Sequence, residues 1–528
     1  MSRSSRVATL VLLGALALPA YAAKKQGTAV EPEKPTAAAP AEMTKKEVKK
    51  HDEAFSTYLS ELASGSKTRS ADALVALVAD PTLVEFHGEA FVLLGDILLE
   101  LSLPYAALCS YARAFQTASD TNVEIVSQHV PKALEVANSV GDLAILEAPF
   151  AGNLGLARTE DVRGQMAFLA AKEQVRGEQW GTASAVLKMV REGDPLYADA
   201  KVLEGVVLNQ QKRSESALGA FDAAGKAGRD KGIRWHDSLQ INLARTWYGA
   251  GNYPRAIEAY SRVTRKSDFW PDAQFERSWA HFRIDDYNGA LAQLLPFDSA
   301  FFQDWYYPEA DLLRIYSMFL VCKFPESSEQ IEHFKQKYLP VHTALKVWKG
   351  KSEAEVFDAA RAYAEKGELS GTPEMLWRPW KEEERFRLSR KAVDSADDEL
   401  KRMKAVSANP FSEQAREWLK ARRDAVVASE GRRVRDRFGE QEAELADMLT
   451  NSEIFILDIL RMKTQLYEQS AAAGKLLEAA TTVKRTERVR KGWQEWPFED
   501  EYWADELGYY RVDVIPECPA SMRQSVKN

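Results

Sequence analysis

A pattern of small and large side chains recurs along the middle of the chain and constrains the fold more than any other sequence feature. In each copy an alanine follows the opening residue by three positions, and a large side chain follows it by seven. The pattern is clearest in four copies: Trp180, Ala183, Leu187; Ser214, Ala217, Phe221; Tyr253, Ala256, Tyr260; and Tyr287, Ala290, Leu294. This spacing places the three side chains on one face of an α-helix. Because the copies begin 34, 39 and 34 residues apart, they predict stacked helix pairs, which offer a binding surface and no chemistry of their own.

Less regular copies lie on both sides of these four. Upstream, Gly95, Ala107 and Tyr111 match the pattern, Gly205 takes a small-residue position, and downstream residues 306–339 form a degenerate copy. The repeated segment resembles the tetratricopeptide repeat (TPR) family. The resemblance implies an all-α, TPR-type helical solenoid, in which the first helix of each pair lines a concave groove. The alternative is an ordinary helical bundle whose alanines and aromatics recur through amphipathicity alone.

The same resemblance implies which side chains line a partner-binding groove. These groove residues are Arg245, Tyr248, Phe275, Trp279, Phe282, Leu312, Tyr316 and Phe319. Most of them are aromatic, which is typical of a surface that binds an extended apolar or proline-rich peptide. A second interpretation stays open, in which the chain's own carboxy-terminal helices cover these rings.

The amino terminus has the features of a cleaved secretory signal. Arg3 and Arg6 precede an apolar run over residues 7–18, and the small residues Ala20 and Ala22 mark a cleavage site. We therefore predict a signal peptide over residues 1–22 and a periplasmic location. The run is too short to span a bilayer, so no transmembrane span is expected in the mature chain. Residues 23–50 are rich in alanine, proline, lysine and glutamate, which predicts a flexible linker.

Charge and cysteine content exclude several classes of function. The formal net charge is −8 over 528 residues, and removal of the two signal-peptide arginines would make it about −10, which argues against binding to nucleic acid or anionic lipid. The three cysteines cannot all pair within one chain. Cys109 is expected in the core, and a disulfide between Cys322 and Cys518 stays open because no spacing argues for it.

No motif in the sequence indicates catalysis. The seven histidines form no pair four residues apart, and neither a Gly-x-Ser-x-Gly elbow nor a glycine-rich phosphate loop occurs. The sequence therefore predicts a protein that is not an enzyme and that has no cofactor or metal site.

Beyond the predicted solenoid, residues 51–345, the chain changes character. Residues 346–487 are predicted as a charged long-helix region, in which Met448, Ser452, Phe455, Ile459, Met462 and Leu466 form a heptad-like seam. Ile456 and Leu460 widen this seam, which favours an intramolecular helical hairpin over packing on a second subunit. The arginines at 432, 433, 435 and 437 are interpreted as a solvated face.

Residues 488–528 form a tail that mixes aromatic and acidic side chains. The predicted tail docking residues are Trp496, Phe498, Tyr502, Trp503 and Tyr509. Rings at this density require burial, so the tail either caps or plugs the helical stack or docks on a partner protein. Calcium binding by Glu499, Asp500, Glu501 and Asp505 is disfavoured because their spacing matches no established loop.

Residues 269–283, 286–291 and 496–510 give the chain a second, narrower resemblance. They resemble the long envelope TPR proteins of myxobacteria, including components of the adventurous gliding motility machinery. The resemblance implies a non-catalytic periplasmic scaffold that binds envelope proteins within a multiprotein complex, with peripheral association with the outer membrane left open. The alternative function is a peptide- or glycan-binding regulator of a cell-wall or secretion enzyme.

Overall fold

The computed structural model describes residues 45–369, 371–472, 501–516 and 518, and these contain helices, turns and loops but no strand. The α-helices in chain order are α1 (Lys45–Ala63), α2 (Lys67–Ala79), α3 (Val84–Glu100), α4 (Pro104–Thr117), α5 (Val123–Gln128), α6 (Val130–Val140), α7 (Glu147–Gly152), α8 (Glu160–Arg176), α9 (Trp180–Leu187), α10 (Tyr197–Gln210), α11 (Ser214–Ala227), α12 (Ile233–Gly249), α13 (Tyr253–Ser261), α14 (Trp270–Arg283), α15 (Tyr287–Leu294), α16 (Pro308–Leu320), α17 (Phe324–Trp348), α18 (Glu353–Lys366), α19 (Arg378–Glu382), α20 (Glu384–Met403) and α21 (Pro410–Ala472). The predicted all-α solenoid class is confirmed.

These residues form two compact units, each assembled from separate stretches of the chain. The described stretches of unit 1 are residues 45–230, 352–361 and 380–434. Those of unit 2 are residues 231–351, 362–369, 371–379, 435–472, 501–516 and 518. Each unit therefore combines helix pairs with part of the predicted long-helix region, and the segment boundaries proposed from the sequence stay predictions.

The repeat register is visible in the turn between the two helices of each pair. In six pairs, the residue two positions before the second helix has a positive φ angle, close to the left-handed helical conformation. These residues are Ser102, Glu178, Lys212, Gly251, Asp285 and Cys322, with φ between 55° and 76°. They precede α4, α9, α11, α13, α15 and α17. The repeat predicted from the side-chain pattern therefore also appears in the backbone conformation of these turns. Only one of the six residues is a glycine.

Close packing inside the pairs explains the small residues of the pattern. Ala183, Ala217, Ala256 and Ala290 are completely buried. At Gly205 a β-carbon would lie 2.4 Å from the Phe221 ring, so the predicted small-residue position is required by contact between α10 and α11. These alanines and glycines let the paired helices approach until side chain meets backbone.

Five of the six turns carry the energetic cost of a non-glycine residue in the left-handed region. Lys212 has φ of 60° and an exposed side chain, so Lys212→Gly should relieve about 1–2 kcal/mol of backbone strain. The greater freedom of glycine in the unfolded chain should offset about 0.4–1 kcal/mol of that gain. We therefore expect a higher urea midpoint for Lys212→Gly. The matched change Gly251→Ala, at φ of 76° with no atom near the new β-carbon, should lower it.

The first described helix begins earlier than the predicted solenoid. Helix α1 starts at Lys45, so residues 45–50 of the predicted linker are helical, in agreement with the Lys49–Glu53 ion pair one turn apart. Phe55 and Tyr58 bury one face of α1. The predicted signal peptide and the rest of the linker lie outside the described residues.

Helix α21 is uninterrupted for 63 residues. In unit 1 it forms an antiparallel hairpin with α20, in which Arg423 pairs with Asp397 and Arg385 pairs with Glu430. In unit 2 the predicted seam is mostly its buried side: Ser452, Ile459, Met462 and Leu466 are buried, and Met448 and Phe455 are half-buried. Leu460, which was predicted to widen the seam, is instead 53% exposed.

Candidate protein-interaction surfaces

Among the groove residues, Arg245 is engaged in a contact within unit 2. Its guanidinium on α12 donates to both carboxylate oxygens of Glu276 on α14, at 2.6 to 3.0 Å. The Tyr260 hydroxyl donates to the same carboxylate at 2.8 Å. Burial alone would lower the pKa of Arg245, but the adjacent Glu276 outweighs it and raises that pKa. Arg245 therefore joins the first helices of two successive pairs.

A second carboxylate lies one turn before Glu276. Asp272 accepts a hydrogen bond from the Tyr307 hydroxyl at 2.6 Å. Burial raises the pKa of Asp272, and the neighbouring Glu276 raises it further. Both carboxylates of α14 thus already have partners within unit 2.

The aromatic groove residues of α12 and α14 are half-buried rather than fully exposed. The Phe275 ring lies 5.5 Å from that of Tyr307, and the Trp279 ring lies 5.7 Å from that of Phe282. These three predicted residues pack against a small buried cluster of Leu294, Phe297, Ala310 and Leu313. Tyr248 packs on Tyr253, with ring centroids 5.3 Å apart. The rings of α14 therefore pack towards the next helix pair, whereas Tyr248 packs within its own pair.

The groove residues of α16 are covered by the chain itself. Phe455 of α21 lies 4.7 Å from both the Tyr316 and the Phe319 rings. Phe319 is buried, and Leu312 and Tyr316 are half-buried. Of the two interpretations of the groove, coverage by a carboxy-terminal helix is the one observed at this position.

The contact between α16 and α21 contains two carboxyl groups with raised pKa values, Glu309 and Glu444. Burial and the nearby Glu444 raise the pKa of Glu309 to about 7, although Arg437 opposes this. Burial likewise raises the pKa of Glu444. Beside them the Tyr306 hydroxyl donates to the Gln441 carbonyl at 3.3 Å.

The raised pKa of Glu309 predicts a pH dependence for unit 2. The unfolded chain releases this proton near pH 4.5 and the folded chain near pH 7, so the folded state binds more protons between those values. Stability is therefore expected to fall as pH rises from about 5 to 7 and to level off above. In the Glu309→Gln variant, thermal unfolding should no longer show the part of this fall in stability that Glu309 causes. An unchanged pH profile in that variant would contradict the assignment.

In unit 1 the helix pairs are covered by the hairpin of α20 and α21. The Trp418 ring lies 6.0 Å from that of Phe91, and the Arg113 guanidinium lies over the indole at 4.4 Å. Arg422 donates to both oxygens of Asp142 at 2.7 Å, and the Tyr105 hydroxyl donates to the same carboxylate. Buried side chains of the hairpin belong to one core with the repeats.

Glu399 makes the most specific of these contacts. Its buried carboxylate accepts hydrogen bonds from the backbone N–H groups of Tyr105 and Ala106, at 2.9 and 2.8 Å. These N–H groups lie in the first turn of α4, where no residue of the helix itself can accept from them. Burial raises the pKa of Glu399, although the two donors act in the opposite direction. The hairpin thus caps a repeat helix from almost three hundred residues away.

The sequence interpretation missed this hairpin contact. The signal was present: Phe386, Ala392, Val393, Ala396 and Met403 form the buried face of a strongly charged α20. The interpretation of the arginines as a solvated face is wrong for Arg433. That side chain pairs with Glu383 and Glu430 and lies 5.0 Å from the Trp380 ring, because a fork of donors can satisfy two carboxylates at once.

The described part of the tail is docked on unit 2. Leu507 is buried in a cluster with residues of α12, α13 and α14. Gly508 has φ of 86° and lies so close to Trp270 that a β-carbon would be 2.8 Å from the indole. The Arg265 side chain donates to the backbone carbonyls of Asp505 and Leu507. The described tail therefore packs on repeats of its own chain.

Further along, the tail is held through its backbone and by a covalent bond. The Asn288 side chain accepts from the Val514 N–H at 3.0 Å and donates to the Val514 carbonyl at 3.3 Å. Cys518 forms a disulfide with Cys322, which settles the pairing that the sequence left open. Cys109 is a buried free thiol, as predicted for a core residue.

The predicted tail docking residues have different environments. Trp496 and Phe498 lie outside the described residues. Tyr502 is half-buried against Tyr510, with ring centroids 5.9 Å apart. Trp503 and Tyr509 are 60% and 54% exposed, with the Arg265 guanidinium 4.8 Å from the Tyr509 ring. Two of the acidic residues considered for calcium, Glu499 and Asp500, also lie outside the described residues. Among the described residues, no group of His, Cys, Asp or Glu could hold a metal ion.

One comparison, with models of protein families, agrees with the helix pairs described above. Residues 168–230 and 241–295 match the family model of the tetratricopeptide repeat. The search of curated proteins returns no match. A crystal structure of the TPR domain of P58(IPK) is similar at 12% identity, covering 70% of this chain and 97% of that chain, with a TM-score of 0.16. Within the described residues, no helix has both the length and the apolar character needed to cross a bilayer. The two segments that match this family model coincide with helix pairs in both units.

Proposed function

We propose that this protein is a non-catalytic scaffold that binds other proteins in the periplasm, as part of a cell-envelope complex. The observation that carries the proposal is the run of helix pairs with a common turn, two segments of which match the TPR model. Stacked pairs of this kind present extended surfaces to protein partners. The acidic total charge favours proteins over nucleic acid as partners.

The disulfide supports the periplasmic part of the proposal. Disulfides form and persist in oxidising compartments and are rare in the cytosol. The experiment is thiol labelling of the denatured protein from intact cells: one thiol should react without reductant and all three after reduction. Three reactive thiols without reductant would contradict export.

Within the envelope, we extend the proposal to the adventurous gliding motility machinery on the narrower sequence resemblance. Deletion of the protein should then lower the level or displace the position of at least one sister component. If every envelope component keeps its level and position, the scaffold function fails. If other envelope components change in level or position and the gliding components do not, the protein belongs to another envelope assembly.

The second candidate is a regulator that binds peptide or glycan. It is favoured by the half-buried rings of α14 and by the buried Trp279 Nε1, which has no acceptor among the described residues. Binding of the purified protein to peptidoglycan, lost in Trp279→Ala and Phe282→Ala, would favour this function. Equal binding by the variants and the parent would reject it.

A further inference from the structure

The docked tail presents two aromatic side chains to solvent, Trp503 and Tyr509. Trp503 is 60% exposed, more than any other aromatic side chain among the described residues. It opens a turn over residues 503–509, which we call the Trp503 turn. A large exposed ring is costly in water, and such rings are enriched at the centres of protein interfaces.

The Trp503 turn is held in one conformation from within. The Trp503 carbonyl accepts from the N–H groups of Glu506 and Leu507 at 3.0 and 3.2 Å, and the Glu506 carbonyl accepts from Tyr509 N–H at 2.9 Å. The buried Leu507 side chain fixes its inner side to the repeats. Two of its carbonyls accept from Arg265. Because its backbone is already ordered, binding through this turn would lose little conformational entropy.

The surroundings of the ring are acidic. Residues 501–513 contain four carboxylates and one arginine, and Glu501, Asp505 and Glu506 are all exposed. Arg265, a cation of the repeats, already contacts the turn through carbonyls and the Tyr509 ring. A field of this sign attracts a basic surface and repels anionic lipid or a second acidic copy of this chain.

We propose that the Trp503 turn is an anchor that inserts the indole into an apolar pocket rimmed by Lys and Arg on a partner protein. The proposal rests on the scaffold function and adds the chemistry of the partner. Truncation of an anchor ring of this kind weakens binding by about 30-fold or more. Reversal of rim charges acts mainly on the association rate and its salt dependence.

The test uses the full chain and three variants. Proteins captured from envelope extracts by the wild-type chain are purified, and each purified protein then serves as the probe for affinity measurement. Trp503→Ala should weaken binding at least about 30-fold. Asp505→Lys combined with Glu506→Lys should slow association and remove its salt dependence. Ile515→Ala is the control, since this side chain is 46% exposed on the same tail but outside the turn, and it should bind like the wild type.

The outcomes separate this inference from the scaffold function. Equal affinity of Trp503→Ala and wild type for every captured protein would overturn the anchor and leave the scaffold standing. If the wild type captures no protein that binds after purification, both fail. The proposed class of partner, a protein with a basic rim, would be overturned if Trp503→Ala affected only self-association or only binding to phosphatidylglycerol vesicles. Hydrogen exchange at the Val514 amide verifies that the tail of each variant stays docked.

Discussion

Replacing Gly431 with alanine is expected to destabilise unit 1 by about 1–3 kcal/mol. The reason is a close contact between backbones: a β-carbon at Gly431 in α21 would lie 1.9 Å from the carbonyl oxygen of Glu353 at the start of α18. Neither backbone can rotate away as a side chain could, so the two helices must separate. Urea unfolding followed by circular dichroism measures the loss.

Gly439 provides a matched control in the same helix. A β-carbon there meets no atom within 4 Å, so Gly439→Ala should gain up to about 1 kcal/mol from the higher helix propensity of alanine. The two variants should therefore shift the urea midpoint in opposite directions. Stabilisation by both would show that the approach of α21 to α18 is not a tight contact.

Loss of the disulfide should have a still larger effect, about 2–5 kcal/mol on unit 2. The bond joins cysteines 196 residues apart, and a crosslink that closes so long a loop restricts the unfolded chain strongly. Cys518→Ser should lower the temperature of unfolding. It should also accelerate hydrogen exchange at the Val514 amide, which Asn288 now holds.

Reductant distinguishes the disulfide from other effects of this substitution. It should destabilise the wild type as much as the substitution does and have no further effect on Cys518→Ser. Equal stability of reduced and oxidised wild type would contradict a stabilising role for the bond.

The parts of the fold that the sequence predicted are those fixed by local spacing. Ala217 and Phe221 lie one helical turn apart, and the Gly205 that receives Phe221 is in the adjacent helix, so a short window contains the whole contact. The same holds for the turn before Tyr253, where Gly251 adopts the left-handed conformation. Residues close in sequence have few alternative partners, so their contacts can be predicted from their spacing.

The surfaces were less predictable because their covering residues are distant in sequence. Phe455 covers Tyr316, and Glu399 caps the first turn of α4. Arg245 was assigned to a groove from its helical position, which cannot reveal that Glu276 would satisfy it. For the tail, aromatic density predicted burial but could not separate the buried Leu507 from the exposed Trp503.

The discontinuity of the two units affects how the protein can be made. A repeat array usually folds as its successive pairs leave the ribosome, because each pair needs only its neighbours. Here unit 1 lacks part of its core until residue 434 has been synthesised, and unit 2 cannot close its disulfide before Cys518. The nascent chain thus reaches residue 434 with both units incomplete, and unit 2 lacks its disulfide until Cys518 has been made. If the protein is exported as proposed, this delay would keep both units unfinished during much of its synthesis.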